Sequence, residues 1–293
     1  MKKYIIGLGD SWTQGEGGYP KEIVEAWGGR TQWRGKPGQP ESDYCLRIHE
    51  LENSWVNQLC KYHFPDYTSI NLGVKGIGNE AAVKQLYFVD NYDLTNCEGI
   101  IILLLSGADR KSLLNGKLGN NKEPDHYSSN FFHHRKWSNL GLYYSALMDT
   151  FSDPALARSD LINLLVLQDI AKARNMKLIV ANAFYNGQES YPEWINQHTG
   201  PLYDKFDWSC YLHNNTEYIS FVQELVRLDS YCRPDNDKLD LERWREYDSF
   251  YNPNNLKTHS EYLTNDEGTH PTIKGYRVIA DEMAKFIREK NYI

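Results

Sequence analysis

Ser11 and His270 are the two residues of this 293-residue chain whose types and settings could do chemistry together. Ser11 lies in Gly9-Asp10-Ser11-Trp12-Thr13-Gln14-Gly15, directly after the apolar run Tyr4-Ile5-Ile6-Gly7-Leu8. A serine at the exit of a strand sits where an α/β fold presents a nucleophile, although Gly-Asp-Ser is also ordinary turn chemistry. A free serine hydroxyl is a weak nucleophile and needs an adjacent base. His270, in Glu267-Gly268-Thr269-His270-Pro271 just before a final helical pattern, is the candidate base. Glu267 and Asp266 stand three and four residues before it, and either could fix the imidazole tautomer and stabilise its charged form. The bland alternative is a capped helix start, which Thr269, Asp266 and Pro271 would also suit.

A second block, Asn71-Leu72-Gly73-Val74-Lys75-Gly76-Ile77-Gly78-Asn79, follows another strand-like run. Glycines there would let the backbone approach a neighbouring group closely. Gly73, Gly76 and Gly78 read G-x-x-G-x-G, the reverse of the dinucleotide fingerprint, and no P-loop lysine follows. A third block, Ser106-Gly107-Ala108-Asp109-Arg110, follows the run Ile100 to Leu105. The remaining histidines, including the adjacent His133 and His134, have no metal-ligand spacing. The five cysteines are odd in number and include no C-x-x-C pair, so reduced thiols with neither disulfide nor zinc are expected.

The elements that must position these groups are legible from hydrophobic pattern. Lys3–Leu8, Thr68–Leu72, Gly99–Leu105 and Met176–Ala183 are strand-length and lack polar alternation, as suits strands buried on both faces of a parallel sheet. Helical spacing predicts helices over Asn53–Tyr62, Asn79–Asn91, Asp153–Ala173, Glu217–Leu228 and Thr272–Asn291. Strands alternating with helices imply right-handed βαβ crossovers. Gly28–Glu52 and Phe184–Thr264 read as long insertions of the kind that shape a binding cleft. With no repeat, low-complexity tract or linker, one domain spanning residues 1–293 is expected.

Taken together, the order of these blocks resembles the GDSL, or SGNH, hydrolase family. The resemblance implies a three-layer α/β/α sandwich with a mostly parallel, flavodoxin-like sheet of four to five strands. It implies a serine ester hydrolase working through an acyl-enzyme, with Ser11, His270 and Glu267 (or Asp266) as catalytic residues. It also implies oxyanion donors from the Ser11 and Gly73 backbone. The family's third block reads Gly-x-Asn-Asp, whose asparagine is a further oxyanion donor; Ala108 occupies that position here. Losing one such donor typically costs about 10²–10³ in rate. Asn79, Asn182 and Asn186 are the candidate replacements, and Asp10, Trp12 and Asp109 are the expected substrate contacts.

Composition narrows the partners. A net charge of −7 and the lack of any long basic run disfavour a phosphate-tracking nucleic-acid binder. No apolar run approaches the roughly 20 residues of a membrane span, and the N-terminal run is too short for a signal peptide. A cytoplasmic setting is therefore expected, with export by another route or a place in a viral particle as the open alternatives, and the resemblance implies neither a metal nor an organic cofactor. Its substrate would be a small or glycan-linked ester; Trp27, Trp33, Trp194 and Trp208 in the insertions lean toward a carbohydrate O-acetyl group. The rival expectation is a weakened SGNH-fold binding module for a glycan or protein partner.

Overall fold

The computed structural model describes residues 2–20, 22–23, 40–75, 77–86, 97–106, 113–114, 126–127, 153–183, 190–216, 218–231, 261–263 and 270–293. Within them the four predicted strands form one all-parallel sheet: β1 (Lys2–Gly9), β2 (Thr68–Asn71), β3 (Cys97–Leu105) and β6 (Lys177–Asn182), in the order β2-β1-β3-β6. The two-residue strands β4 (Leu113–Leu114) and β5 (His126–Tyr127) pair separately and antiparallel. Registers such as Ile5↔Ile100 and Ile101↔Leu178 bring equally apolar positions side by side across the sheet.

Alternation along these strands builds two cores. Tyr4, Ile6, Leu8, Ile101, Leu103 and Leu105 face one side, where they meet α5 (Asp153–Ala173) through Leu161, Leu164 and Leu167. α6 (Tyr191–Thr199) adds Tyr191, Trp194 and Ile195 to that core. Ile5, Ile100, Ile102, Leu104 and Ile179 face the other side. There they meet α3 (Trp55–His63), α7 (Phe221–Tyr231) and α8 (Ile273–Glu289). Because both faces are covered, every strand residue can be apolar, which is why the runs carry no polar alternation. The fold is a three-layer α/β/α sandwich around a parallel sheet, as expected.

Two insertions hold more structure than their composition suggests. α2 (Pro40–Asn53) lies inside the stretch read as a loop from Gly28 to Glu52. Its Pro40 suits a first helical position, and the Gly- and Pro-rich residues that obscured it come before. α6, in the second insertion, carries a complete capping box, Ser190 with Glu193. The helix expected from Asn79 appears as a 3₁₀ turn, Asn79–Ala81, running into the short α4 (Ala82–Gln85); residues 87–96 lie outside the described part. Cys60, Cys97 and Cys210 are buried free thiols. Among the described residues no helix is long and apolar enough to cross a membrane, and no cluster of metal-ligating side chains occurs.

Candidate active site

Ser11 opens α1 (Ser11–Gln14), a single helical turn at the carboxyl end of β1. Asp10 is its N-cap, accepting the Trp12 N–H at 3.0 Å. Gln85 holds the residue before the cap by both edges of its amide: Oε1 accepts the Gly9 N–H at 3.0 Å and Nε2 donates to the Gly9 carbonyl at 2.8 Å. Thr13 adds a bond from its hydroxyl to the Leu8 carbonyl. The turn that carries Ser11 is thus held by Asp10, Gln85 and Thr13.

His270 arrives from the other end of the chain. Pro271 pairs with Leu263 in an isolated bridge, the Thr272 N–H donates to the Tyr262 carbonyl, and Thr272 caps α8. This pinned entry sets the imidazole over α1, with His270 Nε2 2.9 Å from Ser11 Oγ. Both side chains are buried, Ser11 at 5% and His270 at 6% exposure.

A carboxylate that the sequence reading passed over shares the same nitrogen. Glu16 Oε2 lies 3.2 Å from His270 Nε2. Gly15 brings it there: it closes α1 with φ +103, a left-handed conformation that turns the chain back, and the Glu16 N–H bonds to the Ser11 carbonyl. Behind Glu16 lies a polar network. Lys75 Nζ is 3.0 Å from Glu16 Oε1 and 2.8 Å from Glu50 Oε1. Tyr19 and Gln14 donate to the two oxygens of Glu50 at 2.6 and 2.7 Å, and Gln14 Oε1 accepts the Lys75 N–H. Tyr276 donates to the Glu16 carbonyl at 2.7 Å.

The protonation preferences of this network agree with its pairing. Burial alone would raise the Glu50 carboxyl, but Lys75, Tyr19 and Gln14 outweigh it and hold the group below the usual range. Burial opposes the Lys75 charge, yet the two carboxylates win and raise the ammonium above its ordinary value. Tyr19 is pushed up by burial and by Glu50, and Tyr276 by burial and by Glu16, so both remain hydrogen-bond donors.

The other predicted site residues are placed differently from expectation. The Gly73 N–H donates to Asn71 Oδ1 at 2.9 Å and so is committed within its own turn rather than to an oxyanion. Gly73 matters for space: a Cβ there would lie 2.2 Å from the Gln14 nitrogen and 2.6 Å from the Thr13 carbonyl carbon. Asn79 donates to Asp160 Oδ2 at 3.0 Å, while its Oδ1 accepts from the Ser106 N–H and hydroxyl. It ties the exit of β2 to the end of β3. Tyr191 donates to the same Asp160 oxygen. Asn182 is likewise committed, donating to the Ile219 carbonyl.

The Ser11 N–H, by contrast, has no hydrogen-bond partner among the described residues. Asp10 and Trp12, expected to touch substrate, are fully buried as cap and core respectively. Trp194 packs in the core, and Trp208 stacks on Tyr203 at 4.8 Å, so neither is an open sugar platform. Asp266, Glu267, Ala108, Asp109, Asn186, Trp27 and Trp33 lie outside the described residues.

No protein-family model matches the chain, and no curated protein matches it. Solved structures do resemble it. An acetyl xylan esterase is 16% identical, with 97% of this chain and 98% of that one covered, at a TM-score of 0.34. A GDSL-like lipase from Parabacteroides merdae is 13% identical over 100% and 98% of the two chains, at 0.38. An acetyl xylan esterase from the rumen bacterium Butyrivibrio proteoclasticus is 11% identical, covering 100% and 65%, at 0.43. The chain itself has a parallel sheet between two helical layers, a serine at the end of its first strand and a histidine before its last described helix.

Proposed function

We propose that the protein is a serine hydrolase of carboxylic esters that works through an acyl-enzyme. The observation that carries this reading is the 2.9 Å approach of His270 Nε2 to Ser11 Oγ, made by residues 259 apart in sequence at the carboxyl edge of a parallel sheet. A buried Ser–His contact at that edge has the reach that general-base activation requires. In the proposed reaction His270 takes the Ser11 proton as Oγ bonds to the ester carbonyl carbon. The Ser11 N–H then receives the developing oxyanion, and Glu267 or Asp266 is assigned the orienting role for the imidazole. The leaving alcohol departs with the proton, and water releases the acyl group by the reverse sequence. Burial of both reacting groups favours a small acyl group, with acetyl on a small or carbohydrate alcohol as the favoured case.

The test is intact-mass labelling with a fluorophosphonate. Wild type is expected to gain one adduct, and Ser11→Ala and His270→Ala none. A folded wild type that never labels would sink the reading and leave a binding module for a glycan or protein partner. That alternative has one supporting observation: Gly73 and Asn79 spend their donors inside the protein, so an oxyanion would find fewer of them.

A further inference from the structure

Glu16 belongs to no expected triad, yet its carboxylate and Ser11 Oγ address the same imidazole nitrogen, at 3.2 and 2.9 Å. A carboxylate oxygen can only accept, so a bond from Nε2 to Glu16 requires Nε2 to carry hydrogen. That is the state His270 reaches after it has taken the serine's proton. The arrangement is therefore complementary to the loaded histidine rather than to the free base, as a group that favours a reaction intermediate should be. The Glu16 side chain is only 14% exposed, and its other oxygen is held by Lys75, which Glu50 holds in turn. A carboxylate anchored on its far oxygen presents the near one in a fixed place, where an ionised hydrogen bond is stronger than a neutral one.

We propose that Glu16 is a positioning residue for His270, stabilising the Nε2-protonated imidazole; this rests on the ester hydrolase reading above. Its effect falls oppositely on the two halves of acylation. In the first, the Ser11 O–H bond breaks, its proton goes to Nε2, Oγ bonds to the carbonyl carbon, and the carbonyl electron pair moves to oxygen. Glu16 favours this half by holding the proton that Nε2 has gained. In the second, the oxyanion pair re-forms the carbonyl, the bond to the leaving alcohol breaks, and that alcohol's oxygen takes the Nε2 proton. Here Glu16 competes with the leaving oxygen for the same proton. A good leaving group, such as an aryloxide, departs with little need of it, whereas an alkoxide depends on it.

The experiment compares wild type with Glu16→Gln, which keeps shape and removes charge. Fluorophosphonate labelling of Ser11 is expected to slow by about tenfold or more, the usual weight of one hydrogen bond to a charged group. The ratio of kcat/KM for an alkyl acetate over an aryl acetate is expected to rise by about tenfold, part of the general-acid contribution being freed. Long-range ¹H–¹⁵N spectra of the His270 ring, assigned by the loss of its signals in His270→Ala, give a readout that needs no activity. The Nε2 resonance should move toward the lone-pair position in Glu16→Gln.

If Glu16→Gln does not fold, Glu16→Asp keeps the charge, withdraws it from Nε2, and should move the same resonance in the same direction. Unchanged labelling and an unchanged ester ratio would overturn the proposal, and so would an Nε2 resonance indifferent to either variant. A wild type that does not label but shows the Nε2 shift would sink the hydrolase reading while keeping the Glu16–His270 contact.

Discussion

Gln85 does for Gly9 what a neighbouring strand would have done, satisfying a buried N–H and a buried carbonyl at the point where β1 turns into α1. Gln85→Leu would strip the Gly9 N–H of this acceptor and leave its carbonyl with the Val74 N–H, and an unsatisfied buried donor typically costs about 1–3 kcal/mol. Urea unfolding should show a loss in that range, and Ser11 labelling should slow because the turn loses its hold. The residues that meet at this site differed sharply in how legible they were. Ser11 and His270 could be read because strand exit and helix entry are local patterns. Glu16, Lys75, Glu50 and Gln85 could not, because each acquires its role from a contact far away in sequence. For Glu16 the available cue was the Gly15 just before it, a residue suited to the left-handed turn that brings the carboxylate back. Gly73 was legible as a place of close backbone approach, and it does yield space to the α1 backbone, while its N–H, which the resemblance assigned to an oxyanion, is spent on Asn71.

At the scale of elements, that space makes a prediction of its own. Gly73→Ala puts a methyl group where the α1 backbone lies, and overpacking of this kind typically costs about 1–3 kcal/mol. Because the displaced element carries Ser11, labelling should fall along with the urea midpoint. α6 supplies the contrast. Ser190→Ala removes its capping box and should cost about 1 kcal/mol, leaving the Ser11 labelling rate unchanged once stability is allowed for. The strands and the two longest helices were readable since burial on both faces, or on one stripe, imposes a strong pattern. α2 was missed because its start lies behind a glycine- and proline-rich stretch. α6 was missed although Ser190 and Glu193 stood at capping-box spacing, because the surrounding aromatic and polar residues drew the eye to a loop.

For the molecule as a whole, stability should depend on pH through Glu224, on α7. Burial, with Glu282 nearby, pushes its carboxyl up to about 7, against the opposing pull of Arg227 and Lys285. A raised folded-state value means the folded protein holds the proton more tightly than the unfolded chain does. The resulting stability is present below the unfolded value near 4.5 and is lost as pH rises toward 7. Glu224→Gln should therefore unfold at higher urea than wild type at pH 8, with little difference at pH 4, a gain on the order of 1–3 kcal/mol. The sandwich itself was visible at this scale from four apolar runs and the helices between them, whereas the pairing order β2-β1-β3-β6 was not, being set by which crossover packs on which face.

That order has a further consequence for how the protein is made. β1 emerges from the ribosome before β2 and β3 and must wait for them before it has neighbours on both sides. The histidine that meets Ser11 is synthesised 259 residues later, with the helix that closes the second core. Pairings this remote slow folding, and on the proposed mechanism the nascent chain has no activated serine until α8 has docked. Ser11 labelling in a coupled translation reaction would then report completed folding, and a chain stopped before Thr272 should remain silent however long it is incubated.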